Sequence, residues 1–358
     1  MIEIAANSRA KARASRKPSS DVVIALGICG VLFVTLVTLF SLHQLGFIHR
    51  VNAEIAPYQS NAEMFRWRCP EYRKIDQLGG GTLCVVGAPW KAAEKRGILW
   101  GDSHALHFAP LMDITARKAG ISLVVWYKCP PYIDQLNVKR WRPQQPSYSA
   151  NCAKSRAAAM NWIGKSGDAK VVVLASAWYD GLSTLYQREG DKLSLTNGLK
   201  LVEIGLAKAI STIDPTKRDV LVMAQFPRFQ NAPQPCNIAR ISGLLRRKCD
   251  PSALQISTAE TRRLMDPVNT ALEKAVATTK AQLIQTNVSV CQSDQCLTRL
   301  NGEFLYMDAG HIRRNLTPQT RTRLAKILGL DAAFAKIGRG ALATPTAGLQ
   351  MFGALTQE

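Results

Sequence analysis

Three observations predict an α/β fold with a parallel sheet and helices on both of its faces. Short apolar, β-branched runs recur between residues 97 and 286. Amphipathic helical stretches alternate with them, and strands joined through helices pair in parallel. The 358-residue chain is 47% apolar and 20% charged, which gives it ample material for a core.

The strands are expected at residues 97–100 (GILW), 121–127 (ISLVVWY), 170–175 (KVVVLA), 219–224 (DVLVMA) and 281–286 (AQLIQT). Residues 105–118, 151–165, 198–213, 258–279 and 317–328 supply the helices between and after them. The result is a five-stranded parallel sheet in a three-layer sandwich, with its site at the carboxyl ends of the strands. Residues 44–94 hold Pro57, Pro70, Pro89 and Gly79-Gly80-Gly81 with little periodicity, so they read as a linker. The folded domain is expected over 95–335, and the Ala-, Gly- and Thr-rich residues 336–358 as a loose tail.

One segment precedes that fold. Residues 22–42 (VVIALGICGVLFVTLVTLFSL) carry no charge. As a helix they would span roughly 31 Å, about the hydrocarbon thickness of a bilayer. Residues 1–20 carry Arg9, Lys11, Arg13, Arg16 and Lys17 against Glu3 alone, a flank that stays in the cytoplasm. A cleaved signal peptide competes, but the run is too long and Ser41-Leu42-His43 is not a small-x-small site. The expectation is a single-pass anchor at 21–43, with its C-terminal side outside the cytoplasm.

Cysteine usage points the same way. Cys29 lies in the span, and the other eight of the nine fall into neighbouring couples. Sequential pairing gives Cys69–Cys84, Cys129–Cys152, Cys236–Cys249 and Cys291–Cys296, as an oxidising compartment favours. Eight cysteines allow many other pairings. Scattered reduced thiols are the competing reading. No C-x-x-C pair or histidine cluster supports zinc, and no metal is expected.

The first strand runs into Gly101-Asp102-Ser103-His104, and a helix follows at once. A serine at such a turn faces outward beside the unpaired N–H groups of a helix start. Read as structure alone, Asp102 and Ser103 are good N-caps. A nucleophilic serine needs a base, and five histidines are present: His43, His49, His104, His107 and His311. Asp308 stands three residues before His311, where a carboxylate can accept the imidazole N–H and fix its tautomer. His104 and His107, one and four residues past the serine, are the competing bases.

These residues resemble the SGNH/GDSL hydrolase superfamily, in particular SGNH domains fused to acyltransferase-3 membrane proteins. ILWGDSHA at 98–105 is similar to that group's first block, and FLYMDAGHI at 304–312 to its last. KCPPY at 128–132 and VVVLASAW at 171–178 resemble blocks between them. The resemblance covers residues 95–330 and implies a flavodoxin-like sheet. It implies Ser103 as nucleophile, His311 as base and acid, and Asp308 as its orienter. The superfamily's Gly and Asn oxyanion donors are not evident. Ser176 and Trp178 stand where the Asn block falls, and with His104 they are the candidates for oxyanion or substrate contact.

The implied function is a membrane-anchored serine acyl-ester enzyme in a bacterial inner membrane, its SGNH domain periplasmic. It would transfer O-acetyl groups to cell-envelope polysaccharide or oligosaccharide, or remove them, alongside a multi-span acyltransferase-3 partner. The alternative is an inactive SGNH-fold protein that binds carbohydrate or assists assembly. A formal charge of +20, of which residues 1–20 hold +4, suits attraction to anionic polysaccharide or lipid. The basic stretches Arg246-Arg247-Lys248 and Arg313 to Lys326 read equally well as solvated surface. No phosphate-binding glycine motif or nucleic-acid module is visible, so neither a nucleotide cofactor nor nucleic acid is expected.

Overall fold

The computed structural model describes residues 20–50, 61–230 and 255–338. The chain divides into two units, residues 1–56 and 57–358. In the first, α1 (Ser20–Arg50) is a continuous helix over the apolar segment. Val31, Leu32, Phe33, Val34 and Leu36 on it are exposed. Among the described residues no helix is long and apolar enough to cross a membrane; the unbroken run of described side chains in α1 is 27–41.

In the second unit the chain runs β1 (Glu71–Lys74), β2 (Thr82–Gly87), β3 (Lys95–Gly101), α2 (Ser103–Lys118), β4 (Ile121–Trp126), α3 (Tyr148–Lys165) and β5 (Val171–Ala175). It continues through α4 (Leu195–Ile213), β6 (Asp219–Met223), α5 (Thr258–Ala277), β7 (Gln282–Ile284), α6 (Pro318–Ile327) and α7 (Leu330–Gly338). The sheet has seven strands in the order β1-β2-β4-β3-β5-β6-β7. From β4 to β7 all pairings are parallel, which is the expected five-stranded core.

The sheet departs from expectation at its other end. β1 and β2 come from the segment read as a linker; they pair antiparallel with each other, and β2 pairs antiparallel with β4. Their alternation was hidden by the surrounding Pro and Gly. A disulfide between Cys69 and Cys84, with Cα atoms 5.8 Å apart, holds this edge. Cys129–Cys152 and Cys291–Cys296 are bonded as well. Cys236–Cys249 and Arg246 to Lys248 lie outside the described residues, as does the tail beyond residue 338.

Strand alternation sorts the core into two layers. Ile98, Trp100, Val172, Leu174, Val220 and Val222 face α3, α4 and α5. Leu99, Val171, Val173, Ala175, Leu221 and Met223 face α2, α6 and α7. β3 and β5 approach closely at two glycines. A Cβ on Gly97 would sit 1.8 Å from the Val171 carbonyl, and one on Gly101 1.6 Å from that of Ala175. Successive strands lie on opposite sides of β3, so the crevice opens between the carboxyl ends of β3 and β5.

Candidate active site

Asp102 alone separates β3 from α2, and its carboxylate does the capping that its residue type favours. It accepts the His104 amide at 2.9 Å, the Ser176 hydroxyl at 2.6 Å and the Ala177 amide at 3.0 Å. The ends of β3 and β5 are thereby tied together across the crevice. Ser103, the first residue of α2, is exposed.

The loop after Phe304 supplies the other half. Tyr306 and Ile312 face each other as an isolated bridge, while the Met307 amide donates to the His311 carbonyl at 2.9 Å. Within this turn Asp308 Oδ1 accepts the amides of Gly310 and His311, both at 2.8 Å. Arg313, 1% exposed, braces the loop from inside by donating from Nη1 to the Phe304 carbonyl at 2.8 Å. A solvated-surface reading of Arg313 is thereby corrected.

These two segments meet. His311 Nε2 lies 2.8 Å from Ser103 Oγ, and His311 Nδ1 lies 2.8 Å from Asp308 Oδ2. With Nδ1–H donating to the carboxylate, the neutral ring leaves Nε2 to accept the serine proton. Burial works against the Asp308 charge, but donors from the His311 ring and the Gly310 and His311 amides outweigh it and hold its pKa at about 2. Asp308 is therefore ionised at neutral pH. His104 and His107 are fully enclosed; burial pushes His104 down to about 4 and His107 well below the ordinary histidine value. Both are uncharged at neutral pH, and it is His311 that bonds to the serine.

A family model described as the SGNH domain (fused to AT3 domains) matches residues 68–315. The chain belongs to this SGNH family. The match starts ahead of β1, so the antiparallel edge lies inside it, and it ends just past His311. The solved periplasmic domain of a lipopolysaccharide acetyltransferase from Salmonella ser. Paratyphi A is similar to this chain at 18% identity, with a TM-score of 0.46. That likeness covers 82% of this SGNH chain and 99% of the other. No curated protein matches it.

The three candidates for oxyanion or substrate contact are all enclosed. Ser176 is buried and spends its hydroxyl on Asp102. Trp178 is fully buried, its Nε1 donating to the Met223 carbonyl at 2.7 Å and its ring 5.8 Å from that of Tyr132. His104 has neither ring nitrogen exposed. Buried this way, they offer no surface to a substrate. Ser176 and Trp178 follow the 171–175 strand and His104 the 95–101 strand, as read from the sequence, but only packing shows which way they turn.

Other side chains around His311 escaped the sequence reading. Asp180 pairs with Arg228 at 3.0 Å, and burial raises the Asp180 pKa despite that guanidinium. Arg228 Nη1 lies 3.3 Å from where a Cβ on Gly310 would project. Gln225 Oε1 accepts the Tyr179 amide at 2.8 Å. Phe65 sets its ring edge-on to His311 at 6.0 Å, and Arg314 stacks on Phe65 at 4.9 Å. Gln225 and Arg228 follow β6 at the carboxyl edge, a position that signals a site in such sheets. Phe65 carried no signal, because it lies in the stretch read as a linker.

Proposed function

We propose that this SGNH chain is a serine acyl-ester enzyme acting on cell-envelope carbohydrate, with Ser103 as nucleophile, His311 as general base and acid, and Asp308 as orienter. One observation carries the reading: the continuous relay of two 2.8 Å contacts from Ser103 Oγ through His311 to Asp308. Ser103 Oγ attacks the acyl carbonyl as its proton passes to His311 Nε2. The imidazolium formed is stabilised by ionised Asp308. His311 then returns the proton to the departing alkoxide, leaving an acyl-serine. Delivery of the acyl group to a sugar hydroxyl makes the protein an O-acetyltransferase, and delivery to water makes it an esterase. The His104 and Ala177 amides are committed to Asp102, so the reading assigns oxyanion stabilisation to the Ser103 amide at the start of α2.

Association of the matched family with AT3 domains supports acyl transfer and a multi-span acyltransferase-3 partner. Three disulfides support an extracytoplasmic setting for the domain. The proposal includes α1 as the inner-membrane anchor, supported by its uncharged 22–42 stretch and exposed apolar side chains. A reporter active only outside the cytoplasm should work when fused after Arg50; activity of a cytoplasm-only reporter there overturns the anchor's orientation.

The test of function is incubation of the full chain with a chromogenic acetyl ester, with and without oligosaccharide acceptors. Ester turnover that acceptors accelerate supports transfer. Hydrolysis indifferent to acceptors supports an esterase. No turnover and no serine acylation in either case transfers the reading to a non-catalytic carbohydrate-binding domain.

A further inference from the structure

Two buried histidines stand behind His311 with no part in the chemistry described so far. His104 and His107 are three residues apart on α2 and therefore project from the same side of it. Their ring centroids are 4.5 Å apart, and those of His104 and His311 are 4.6 Å apart. The His107 ring stands edge-on to His311 at 5.7 Å. Three imidazoles so close suggest a metal, yet among the described residues no group of three His, Cys, Asp or Glu side chains is arranged to hold one.

The hydrogen bonding gives the pair a different task. His107 Nδ1 accepts the amide of Ile312, the residue directly after His311, at 3.3 Å. Because Nδ1 accepts, the proton of neutral His107 sits on Nε2, which is buried without a partner. The loop is thus fastened on both sides of His311: Asp308 takes the Gly310 and His311 amides, and His107 takes the next one. Charged and titratable groups facing His104 are Asp102, Asp308, Arg228, His107 and His311; those facing His107 are His104, His311 and Arg314.

We infer that His107 is a positioning residue: through the Ile312 amide, and with His104 wedged against both rings, it sets the orientation in which His311 meets Ser103. The inference rests on the serine reading above. Loss of the acceptor leaves a buried N–H unsatisfied and lets the ring of His311 drift. A displacement of about 1 Å at a reacting group can cost about a hundredfold in rate.

Asparagine and glutamine separate this role from simple core filling. Asn carries its carbonyl oxygen where Nδ1 stands, whereas Gln carries it where Nε2 stands. The experiment follows the rate at which a fluorophosphonate labels Ser103 in the full chain, by mass spectrometry across pH. The chains are wild type, His107→Asn, His107→Gln and His107→Leu. His107→Asn should label within about threefold of wild type, and His107→Gln and His107→Leu about tenfold or more slower. The pH midpoint should stay in place throughout, since an uncharged ring is being replaced. Equal rates for Asn and Gln overturn the inference, as does a wild-type rate in His107→Leu. Should His107→Leu fail to fold, the comparison of the two amides decides. A wild-type chain that labels no faster than Ser103→Ala would sink the serine reading itself.

Discussion

The carboxylate of Asp102 accepts the hydroxyl of Ser176 at 2.6 Å, joining two strand ends that are 74 positions apart in the chain. The same carboxylate caps α2, so one side chain sets both the start of the helix and the width of the crevice. Ser176→Ala is expected to cost about 1.5–3 kcal/mol, the range for a hydrogen bond to a charged group. Asp102→Ala, which strands two amides and the hydroxyl, should cost more and slow acylation of Ser103. Urea unfolding of both variants checks the order, and an Asp102→Ala chain as stable as Ser176→Ala would contradict it.

Ser103→Ala and His311→Ala should each abolish ester turnover while leaving the fold intact. Asp308→Asn should fall by about a factor of ten thousand, because an amide can hold His311 in the wrong tautomer. The pH–rate profile should contain one essential base that disappears with His311. Full activity in His311→Ala would discard the assignment.

Glycine at 101 is a matter of space. Its Cβ would overlap the Ala175 carbonyl, so Gly101→Ala must force β3 away from β5 and should abolish soluble expression. Gly310→Ala meets two side chains, the Arg228 guanidinium at 3.3 Å and the Gln225 amide at 3.8 Å, and should fold while perturbing the site. Soluble yield tells the cases apart: Gly310→Ala should be recovered with a wild-type circular dichroism spectrum, and a soluble, native-like Gly101→Ala chain would contradict the first expectation.

Acid should destabilise the domain in two stages. His104 has a folded pKa of about 4 against an ordinary 6.5, so the unfolded chain binds more protons between these values. Stability is therefore full above about pH 6.5 and falls as the pH drops toward about 4, with His107 shifted in the same direction. For His104 alone the loss is on the order of 3 kcal/mol. Asp308, at about 2 against 3.8, adds a second loss below that window. Urea midpoints that do not change between about pH 7 and about pH 4.5 would contradict the first stage.

The disulfides should carry measurable stability. Cys129–Cys152 closes 23 positions of chain and ties α3 to the segment after β4. Replacing both with serine should cost about 3 kcal/mol. The five-position Cys291–Cys296 link should matter less for stability than for the path of chain leading to Phe304. Non-reducing mass spectrometry with free thiols at 291 and 296 would contradict that pairing.

Local patterns in the sequence were enough for the five parallel strands, the capped turn at Asp102 and the D-x-x-H spacing of Asp308 and His311. Each of these depends on neighbours in the chain: β-branched runs, a helix start, a carboxylate one turn from an imidazole. Three of the four cysteine couples, Cys69–Cys84, Cys129–Cys152 and Cys291–Cys296, were legible for a related reason, since short loops bring Cα atoms into bridging range.

Tertiary structure decided everything that turns on direction and enclosure. Pro and Gly masked the two antiparallel strands at 71–74 and 82–87, which become strands because β4 offers an edge to β2 and β2 in turn offers one to β1. His311, rather than His104 or His107, bonds to the serine because α2 buries the nearer two histidines and the final loop folds back across 208 positions. Ser176 and Trp178 lie at the predicted strand end but turn inward, toward Asp102 and the Met223 carbonyl. Residue type and spacing fix what a side chain can do; which face it meets depends on long-range packing that no local window contains.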